Sequence, residues 1–378
     1  MGASSAGLPL RLQNALMPGD PAPTFVARAT NNPAFAFDSA AGRYLVLFLY
    51  GSAAVPAIRK VLDDYLHHGA VFNDARASFF GVSADPEDER TGRVQQCLPG
   101  YRHFWDFDLA VSRRYACVGT GRSAGRHSYA PRSIVIDPGL RIVAAVPLSD
   151  PATHVATILG ILAAQPAVAP PAAAGPQAPV LVVPSVLEPA LCEELVRLYD
   201  RDGGRESGFM REVDGRTVEI REPQHKQRRD CPVVSQGMRR ELRGRLVRRL
   251  LPAVQKAFGY RVTYIERYII GCYDVAHGGH FRPHRDNTTK GTVHRAFAVS
   301  LNVGSDDYEG CDLRFPEFGW QEFRPPRGGA IVFSCSLLHE VTPIRRGRRL
   351  VLLPFLYDDA AAALRAENQS YVDLIGKG

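Results

Sequence analysis

The chain of 378 residues lacks any run of about 18 or more apolar residues, the length that a membrane-spanning helix needs. Residues 1–20 lack a basic start followed by a long apolar stretch, so we expect no secretory signal. Hydrophobic residues make up 45% of the chain and charged residues 22%, which is typical of a globular protein. We therefore expect a soluble cytoplasmic protein that is not bound to a membrane.

Paired cysteines are also lacking. The seven cysteines form no CxxC motif and are scattered along the chain, at positions 97, 117, 192, 231, 272, 311 and 335. An odd and scattered set suits neither a disulfide framework nor a structural zinc site. We expect reduced thiols, in agreement with a cytoplasmic location.

Acidic residues are fewer than basic ones, and the net charge is +7. Much of the excess lies between Arg221 and Arg249. Such a basic stretch could attract nucleic acid. However, apolar residues recur at helical spacing from Met238 to Phe258, so we interpret the arginines as the solvated face of a helix. Nucleic acid is therefore not an expected partner.

Charge is absent from residues 163–179, which contain only Ala, Pro, Gly, Val and Gln. This composition predicts a semi-extended linker. It would separate an N-terminal domain, residues 1–162, from a C-terminal domain, residues 180–378. Each part is long enough to bury its own core.

The N-terminal part alternates strand-like and helix-like segments. Residues 44–50 and 77–82 are continuous apolar runs, as expected of strands that are buried on both faces. Helical periodicity covers residues 56–67 and 153–164, and residues 132–147 are typical of a hairpin. This order predicts a layered α/β domain.

Five segments of the N-terminal part resemble a peroxiredoxin of the thioredoxin fold: MPGDPAPTF at 17–25, YLVLFLY at 44–50, GVSADP at 81–86, FWDFDLAVSRRYACVG at 104–119 and RSIVIDPGLRIV at 132–143. In that family a reactive cysteine precedes the proline that opens the first helix. The matching residue here is Val55, before Pro56, and Arg132 matches the family's active-site arginine. A valine cannot form a thiolate. We therefore expect no catalytic thiol, and a domain that binds a protein partner instead.

The C-terminal part reverses this arrangement, with helices first and strands afterwards. Helices are predicted near Glu188-Pro189 and at about 237–258. The predicted strands are residues 262–273, 296–303, 312–315, 330–333 and 349–357. This order indicates a jelly roll, or double-stranded β-helix, with supporting helices. The whole chain would then be α+β.

His284, Asp286, His339 and Arg349 form the most informative set of residues. Two imidazoles and one carboxylate are the ligands of a non-haem Fe(II) facial triad. Because His284 and Asp286 are two residues apart, an extended strand would point both to one face. A helical zinc site at His280 and His284 is disfavoured by the glycines and the proline around them.

The segments CYDVAHGGHFRPHRDN at 272–287 and HEVTPIRRGRR at 339–349 resemble the Fe(II)- and 2-oxoglutarate-dependent prolyl 4-hydroxylase-like family. The resemblance implies that His284, Asp286 and His339 bind Fe(II). It implies that Arg349 binds the distal carboxylate of 2-oxoglutarate, with a hydrogen bond from Tyr273 to the same group.

The same resemblance places Asn287 and Asn302 around these ligands as orienting residues. A second tyrosine that the family often carries after the HxD motif is missing, because Val299 and Ser300 occupy that strand. O2 would be the second co-substrate, with ascorbate as a reductant.

The implied reaction is hydroxylation of an unactivated C–H bond of a peptidyl, prolyl-type side chain, with release of succinate and CO2. Hydroxylation of a small molecule or natural product remains an alternative, because the same iron site serves both. A nucleic-acid demethylase would need a pocket in which a base stacks on aromatic rings. The chain has two tryptophans, Trp105 and Trp320, which disfavours this alternative. A scaffold without enzymatic activity is the last alternative.

Overall fold

The computed structural model describes residues 16–123, 126–173 and 175–373. The chain divides into two compact units, with the boundary between residues 172 and 173. Residues 166–173 and 175–180, which cover most of the predicted linker, form neither helix nor strand. Within the described residues, no helix combines the length and the apolar character that a membrane crossing would require.

The first unit contains a seven-stranded sheet with helices beside it. Its elements are β1 (Val26–Ala29), β2 (Asn32–Ala36), β3 (Tyr44–Gly51), α1 (Pro56–Leu66), β4 (Ala77–Ser83), α2 (Pro86–Arg90), β5 (Tyr101–Trp105), α3 (Ala110–Arg114), β6 (Val118–Ser123), β7 (Arg126–Tyr129), β8 (Arg132–Ile136), β9 (Ile142–Pro147) and α4 (His154–Ala163). The strand order is β2-β1-β5-β4-β3-β8-β9, and β3, β4 and β5 run parallel.

Strand β3 shows why its sequence is apolar at every position. Val46 and Phe48 face a core that includes residues of α1 and α4. Leu45 and Leu47 face a second core on the opposite side of the sheet. Because a strand alternates its side chains, burial on both faces requires a continuous apolar run. The α/β layering predicted for this part is confirmed.

The second unit is built around two facing antiparallel sheets, with helices against the larger one, and it also contains two shorter sheets. Its strands are β10 (Leu181–Val183), β11 (Arg205–Glu206), β12 (Phe209–Val213), β13 (Arg216–Ile220), β14 (Lys226–Gln227), β15 (Arg229–Pro232), β16 (Tyr264–Glu266), β17 (Ile269–Asp274), β18 (His280–His284), β19 (Phe297–Asn302), β20 (Glu309–Gly310), β21 (Leu313–Arg314), β22 (Glu322–Phe323), β23 (Ala330–Ser334), β24 (His339–Val341), β25 (Ile344–Arg346), β26 (Arg348–Leu352), β27 (Phe355–Tyr357) and β28 (Val372–Asp373). Its helices are α5 (Pro189–Asp202), α6 (Gln236–Arg245), α7 (Leu251–Phe258) and α8 (Asp359–Glu367).

The larger sheet has the order β10-β23-β19-β26-β17-β15-β11, and the smaller has the order β14-β18-β24-β21-β22. One core, with Leu301 and Leu352, packs against α5, α6 and α7. A second core, with Ile331 and Val351, joins residues of both sheets. The predicted jelly roll with supporting helices is confirmed.

Three predicted elements are interrupted. Arg267 has a φ of 50°, and it separates β16 from β17 where one strand was predicted. Leu353 and Pro354 separate β26 from β27, since proline has no N–H for the ladder. A π-helical turn, residues 246–250, separates α6 from α7. Pro252 follows this turn and cannot donate to the carbonyl four residues earlier.

Candidate metal and co-substrate site

Adjacent strands of the smaller sheet bring the three predicted metal ligands together. His284 ends β18 and His339 begins β24, and the two are direct partners in the ladder. Asp286 lies in the turn after β18, not on the same strand as predicted. In this turn the Asp286 backbone N–H donates to the carbonyl of Cys335 at 3.0 Å. The turn still directs the carboxylate toward both imidazoles.

The ligand atoms of the three residues lie within 4.8 Å of one another. The Asp286 carboxylate is 3.7 Å from His284 Nε2 and 3.4 Å from His339 Nε2. His284 Nδ1 lies 2.8 Å from the carbonyl of Arg282, and His339 Nδ1 lies 3.0 Å from that of Leu337. When Nδ1–H donates to a carbonyl, Nε2 keeps its lone pair for a metal. This donor set fits a divalent iron.

The electrostatics keep His284 and Asp286 in their ligand forms. Burial, with a further contribution from His339, lowers the pKa of His284 to about 3. Burial alone would raise the pKa of Asp286, but the adjacent imidazoles of His339 and His284 outweigh it and the pKa is lowered. At neutral pH a neutral His284 and an ionised Asp286 result, which are the states that bind a metal.

Aromatic rings hold both imidazoles in place. The Phe281 ring stacks on His284 with centroids 3.5 Å apart, and the Phe333 ring contacts His339 at 4.6 Å. Beside the triad lies a cavity of about 340 Å³, which these aromatic side chains also line. Its size lies within the range of ligand pockets. Arg349, Tyr273 and Ser300 line the same cavity.

Arg349 is 1% exposed, and its hydrogen-bond partners are all uncharged. Nε donates to Asn302 Oδ1 at 3.0 Å, Nη1 to the carbonyl of Cys311 at 2.7 Å and Nη2 to Ser300 Oγ at 3.0 Å. A guanidinium has more N–H groups than these bonds use. A buried cation without an acidic partner is unfavourable unless a ligand supplies the anion. The site therefore fits a carboxylate such as the distal group of 2-oxoglutarate.

Asn302 positions this arginine instead of contacting the metal ligands. Its Nδ2 donates to Tyr308 Oη at 3.2 Å and to the carbonyl of Pro325 at 2.7 Å, while its Oδ1 accepts from Arg349. Ser300 Oγ accepts the hydrogen bond from Arg349 Nη2. In the sequence, Ser300 was of interest only because related proteins often have a tyrosine on this strand. Tyr308 was not identified from the sequence, because it lies in a loop without periodicity.

Tyr273 on β17 is the ladder partner of Arg349 on β26. Burial raises the pKa of Tyr273, so its hydroxyl keeps its proton and can donate it to a carboxylate. The same hydroxyl is 3.5 Å from Arg228 Nη1, and Arg228 forms an ion pair with Asp230 at 2.6 Å. Burial alone would raise the pKa of Asp230, but Arg228 lowers it to about 2.

The buried Arg228 corrects part of the charge interpretation. The basic stretch from Arg221 to Arg249 was assigned to a solvated helix face, yet Arg228 lies on the cavity wall. Arg249 is also buried, at 1% exposure, and donates to Glu188 at 2.8 Å. Helical periodicity identifies one apolar face, but it cannot show that a neighbouring acid draws an arginine inward.

The remaining predicted residues lie farther from the ligands. Asn287 donates through Nδ2 to Ser336 Oγ at 2.9 Å, and it is not among the described residues that line the cavity. Arg348, next to Arg349, points the other way and forms an ion pair with Asp200 at 2.7 Å. This orientation follows from strand alternation, as expected.

In the first unit, Val55 lies immediately before α1 and is 46% exposed. The loop in front of it is held by acids: Ser52 Oγ donates to Asp85 at 2.6 Å, and the Ala53 backbone N–H donates to Asp88 at 2.8 Å. Cys117 is elsewhere, and burial raises the pKa of its thiol to about 12. Neither side chain can act as the reactive thiol of a peroxiredoxin at this helix start.

Comparison with known proteins gives a separate match for each part of the chain. Residues 268–357 match the model of the 2OG-Fe(II) oxygenase superfamily, and residues 18–145 match that of the AhpC/TSA family. A PKHD-type hydroxylase of Pseudomonas fluorescens is 32% identical over 89 residues, which cover 21% of this chain and 38% of the relative.

Two solved structures illustrate the two parts. The bacterioferritin comigratory protein of Xanthomonas campestris is 18% identical, with a TM-score of 0.33, over 37% of this chain and 90% of its own. A prolyl hydroxylase from Trichoplax adhaerens, in complex with a peptide fragment of hypoxia inducible factor, is 16% identical, with a TM-score of 0.39, over 49% and 86%.

The family matches confirm both resemblances noted in the sequence. The first part is similar to peroxiredoxins, and the second part is similar to 2-oxoglutarate-dependent oxygenases. The chain spans 38% of the length of the curated relative that it matches.

Proposed function

We propose that this protein is an Fe(II)- and 2-oxoglutarate-dependent dioxygenase that hydroxylates an unactivated C–H bond. One cavity joins the His284, Asp286 and His339 donor atoms with Arg349, a buried cation that has only uncharged partners. A set of metal ligands and a cation that can bind a carboxylate in one cavity are the two features that a 2-oxoglutarate-dependent oxygenase needs. The oxygenase match over residues 268–357 supports it independently.

Each residue has a defined task in this proposal. His284, Asp286 and His339 hold the iron, and Arg349 with Tyr273 holds the distal carboxylate of 2-oxoglutarate. The iron supplies O2 activation when bound. Phe281 and Phe333, which contact the imidazoles, line the cavity and exclude water from it.

The overall reaction balances without another reactant. One oxygen atom of O2 enters the substrate C–H bond as a hydroxyl group, and the other enters succinate. Oxidative decarboxylation of 2-oxoglutarate to succinate and CO2 supplies the remaining electron pair. Ascorbate enters the proposal only as a reductant that keeps the iron ferrous.

We propose a peptidyl, prolyl-type side chain as the substrate and the cytoplasm as the location. The named relatives, a PKHD-type hydroxylase and a prolyl hydroxylase, support the substrate class. The seven unpaired cysteines support a reducing compartment. For the first unit we propose a protein partner, which cross-linking of the full chain would identify; absence of any cross-linked protein would contradict this role.

The test is turnover under defined conditions. Purified protein with Fe(II), 2-oxoglutarate and O2 is incubated with a cell lysate, succinate is measured, and mass spectrometry searches for products that have gained one oxygen atom. We expect succinate and an oxygenated product to appear together and to depend on 2-oxoglutarate. If neither depends on 2-oxoglutarate, the proposed function is wrong.

A further inference from the structure

The cavity beside the metal triad carries more positive charge than its own acids balance. Among the residues that the structure describes, seven arginine and lysine side chains line it, against the carboxylates of Asp286 and Glu212. Four of the seven have carboxylate partners, at distances of 2.6 to 3.1 Å: Arg211, Arg228, Arg285 and Arg295. These four are compensated within the protein.

The other three are Lys226, Arg267 and Arg349, and no carboxylate of the described residues lies within ion-pair distance of them. Lys226 Nζ donates to the carbonyl of Gly208, and Arg267 Nε donates to that of Leu353 at 3.3 Å. Arg349 donates only to uncharged groups. A cation in such surroundings favours an anionic ligand.

The proposed cofactors compensate only one of the three. Ferrous iron, the 2-oxoglutarate dianion, Asp286 and Arg349 are together electrically neutral. Glu212 is exposed, and its carboxylate accepts the backbone N–H of Lys290 at 3.2 Å. Arg267 therefore keeps its charge without a carboxylate partner when iron and 2-oxoglutarate are bound. Burial lowers the pKa of Lys226 well below its usual value, so this side chain is a hydrogen-bond donor beside Arg267 that an anion would return to its charged form.

Arg267 is held where like charges crowd it. Its guanidinium lies 4.4 Å from the Phe355 ring centroid, and that of Arg295 lies 4.1 Å from the same centroid. Burial, with Arg295 and Arg228, lowers the pKa of Arg267 to about 10, so it stays protonated at neutral pH. The left-handed φ of 50° at this residue fixes the break between β16 and β17 from which the side chain extends.

Both basic side chains, Lys226 and Arg267, share one cavity with the metal triad. Arg267 lines the cavity together with the three proposed metal ligands, His284, Asp286 and His339. The ammonium group of Lys226 lies 5.1 Å over the Phe281 ring, which stacks on His284. Lys226 is 7% exposed. An anion bound between them would lie in the same cavity as the iron.

We propose that the substrate of this oxygenase carries a carboxylate near the carbon to be hydroxylated, and that Arg267, with Lys226, binds this carboxylate. This inference rests on the proposed function. A guanidinium can form two parallel hydrogen bonds to a carboxylate. The carboxylate can belong to a free acid or to an acidic side chain beside the target in a peptide, and the experiment separates these two sources.

The test measures binding, with two matched pairs of probes. Anaerobic protein loaded with Mn(II) and 2-oxoglutarate is titrated calorimetrically with L-proline against L-prolinamide. In the second arm, acetyl-glutamyl-proline amide is compared with acetyl-glutaminyl-proline amide. We expect the acidic member of one pair to bind about tenfold or more tightly than its neutral counterpart. The pair that shows the preference identifies the source of the carboxylate.

Variants assign the preference to its residues. We expect Arg267→Gln to remove it while the affinity for 2-oxoglutarate stays unchanged, and Arg267→Lys to retain part of it. The matched control is Arg348→Gln, which removes the same charge outside the cavity and should keep the preference. A thermal unfolding curve for each variant shows whether it folds.

Two outcomes overturn the inference. One is equal binding, or no binding, of both members in both pairs. The other is a preference that persists when Arg267 and Lys226 are both changed to glutamine. If the wild-type protein fails to bind Mn(II) and 2-oxoglutarate together, the proposed function fails first. If the protein binds Mn(II) and 2-oxoglutarate but shows no preference for the acidic probes, only the inference about the substrate carboxylate is wrong.

Discussion

The start of α1 in the first unit and the end of β18 in the second unit are both positions where family resemblance predicts a reactive group. At the first, Val55 replaces the cysteine, while the buried strand β3 before it and helix α1 after it remain intact. At the second, His284, Asp286 and His339 are present, and Nδ1 of each imidazole lies at hydrogen-bond distance from a backbone carbonyl. The comparison shows that the strand and the helix around Val55 form without the reactive residue.

The physical reason is that different residues support the fold and the reaction. The first unit is stabilised by two cores on either side of its sheet, and Val55 belongs to neither. In the second unit, the two residues that would bind 2-oxoglutarate are themselves buried. Arg349 and Tyr273 are direct partners between β26 and β17, so losing them would disturb packing as well as chemistry.

The largest effect is expected at the metal ligands. We expect His284→Ala to abolish metal binding and to reduce succinate release by more than about 100-fold. Mutation of a residue that only orients a metal ligand costs up to roughly 100-fold, so loss of the ligand itself should cost more. Metal content by elemental analysis and succinate release measure the two effects. His280→Ala is the matched control, because His280 bonds to backbone carbonyls of Gly278 and Gln224. Equal activity of His284→Ala and wild type would refute the iron assignment.

The next effect concerns the proposed co-substrate. We expect Arg349→Gln to weaken 2-oxoglutarate binding on the order of 100-fold, because charged hydrogen bonds to the carboxylate are lost. Calorimetric titration of the Mn(II)-loaded protein with 2-oxoglutarate measures this affinity. Asn302→Ala should weaken it less, roughly tenfold, since Asn302 only orients the guanidinium. Unchanged affinity in Arg349→Gln would place the carboxylate elsewhere.

In the first unit the expected effect is on stability. Burial lowers the pKa of His103 from 6.5 to about 4, so the folded protein resists protonation of this residue. Neutral His103 therefore contributes fully to the free energy of unfolding above pH 6.5. As the pH falls from 6.5 toward 4, the unfolded chain binds a proton that the folded protein does not, and up to about 3 kcal/mol of stability is lost. We expect His103→Gln to lose less stability on acidification than wild type, as measured by calorimetric unfolding at several pH values.

The exposed His67 provides the control for this pH dependence. His67→Gln should follow the wild-type loss of stability between neutral pH and pH 4. If His103→Gln and His67→Gln show the same pH dependence, the burial of His103 does not determine the acid sensitivity of this unit.

The smallest effect is expected at Val55. Because this side chain is exposed, Val55→Cys should change the free energy of unfolding by no more than about 0.5 kcal/mol. The new thiol lies at a helix start, where a thiolate is favoured, so it should react with iodoacetamide faster than Cys97. Mass spectrometry of the alkylated peptides gives both rates. A slower reaction than at Cys97 would mean that the loop before α1 does not favour a thiolate at this position.

The segments that were predicted well have strong patterns. The run at 44–50 is typical of a strand buried on both faces, and residues 189–202 have the proline and the periodicity of a helix start. The sequence was less informative at residues 205–232, where β11 to β15 are mostly too short to show a pattern. Arg228 and Asp230, which lie beside Tyr273, were therefore not identified.

The sequence alone determined the ligand types, the missing thiol and the order of the elements, since these depend on residue identity and local spacing. Only the tertiary structure decided which cations face the cavity. Lys226, Arg267 and Arg349 are separated in the chain by more than a hundred residues in total, yet they line one cavity. Their lack of acidic partners is a property of three-dimensional packing, because an ion pair depends on distance in space and not on distance along the chain.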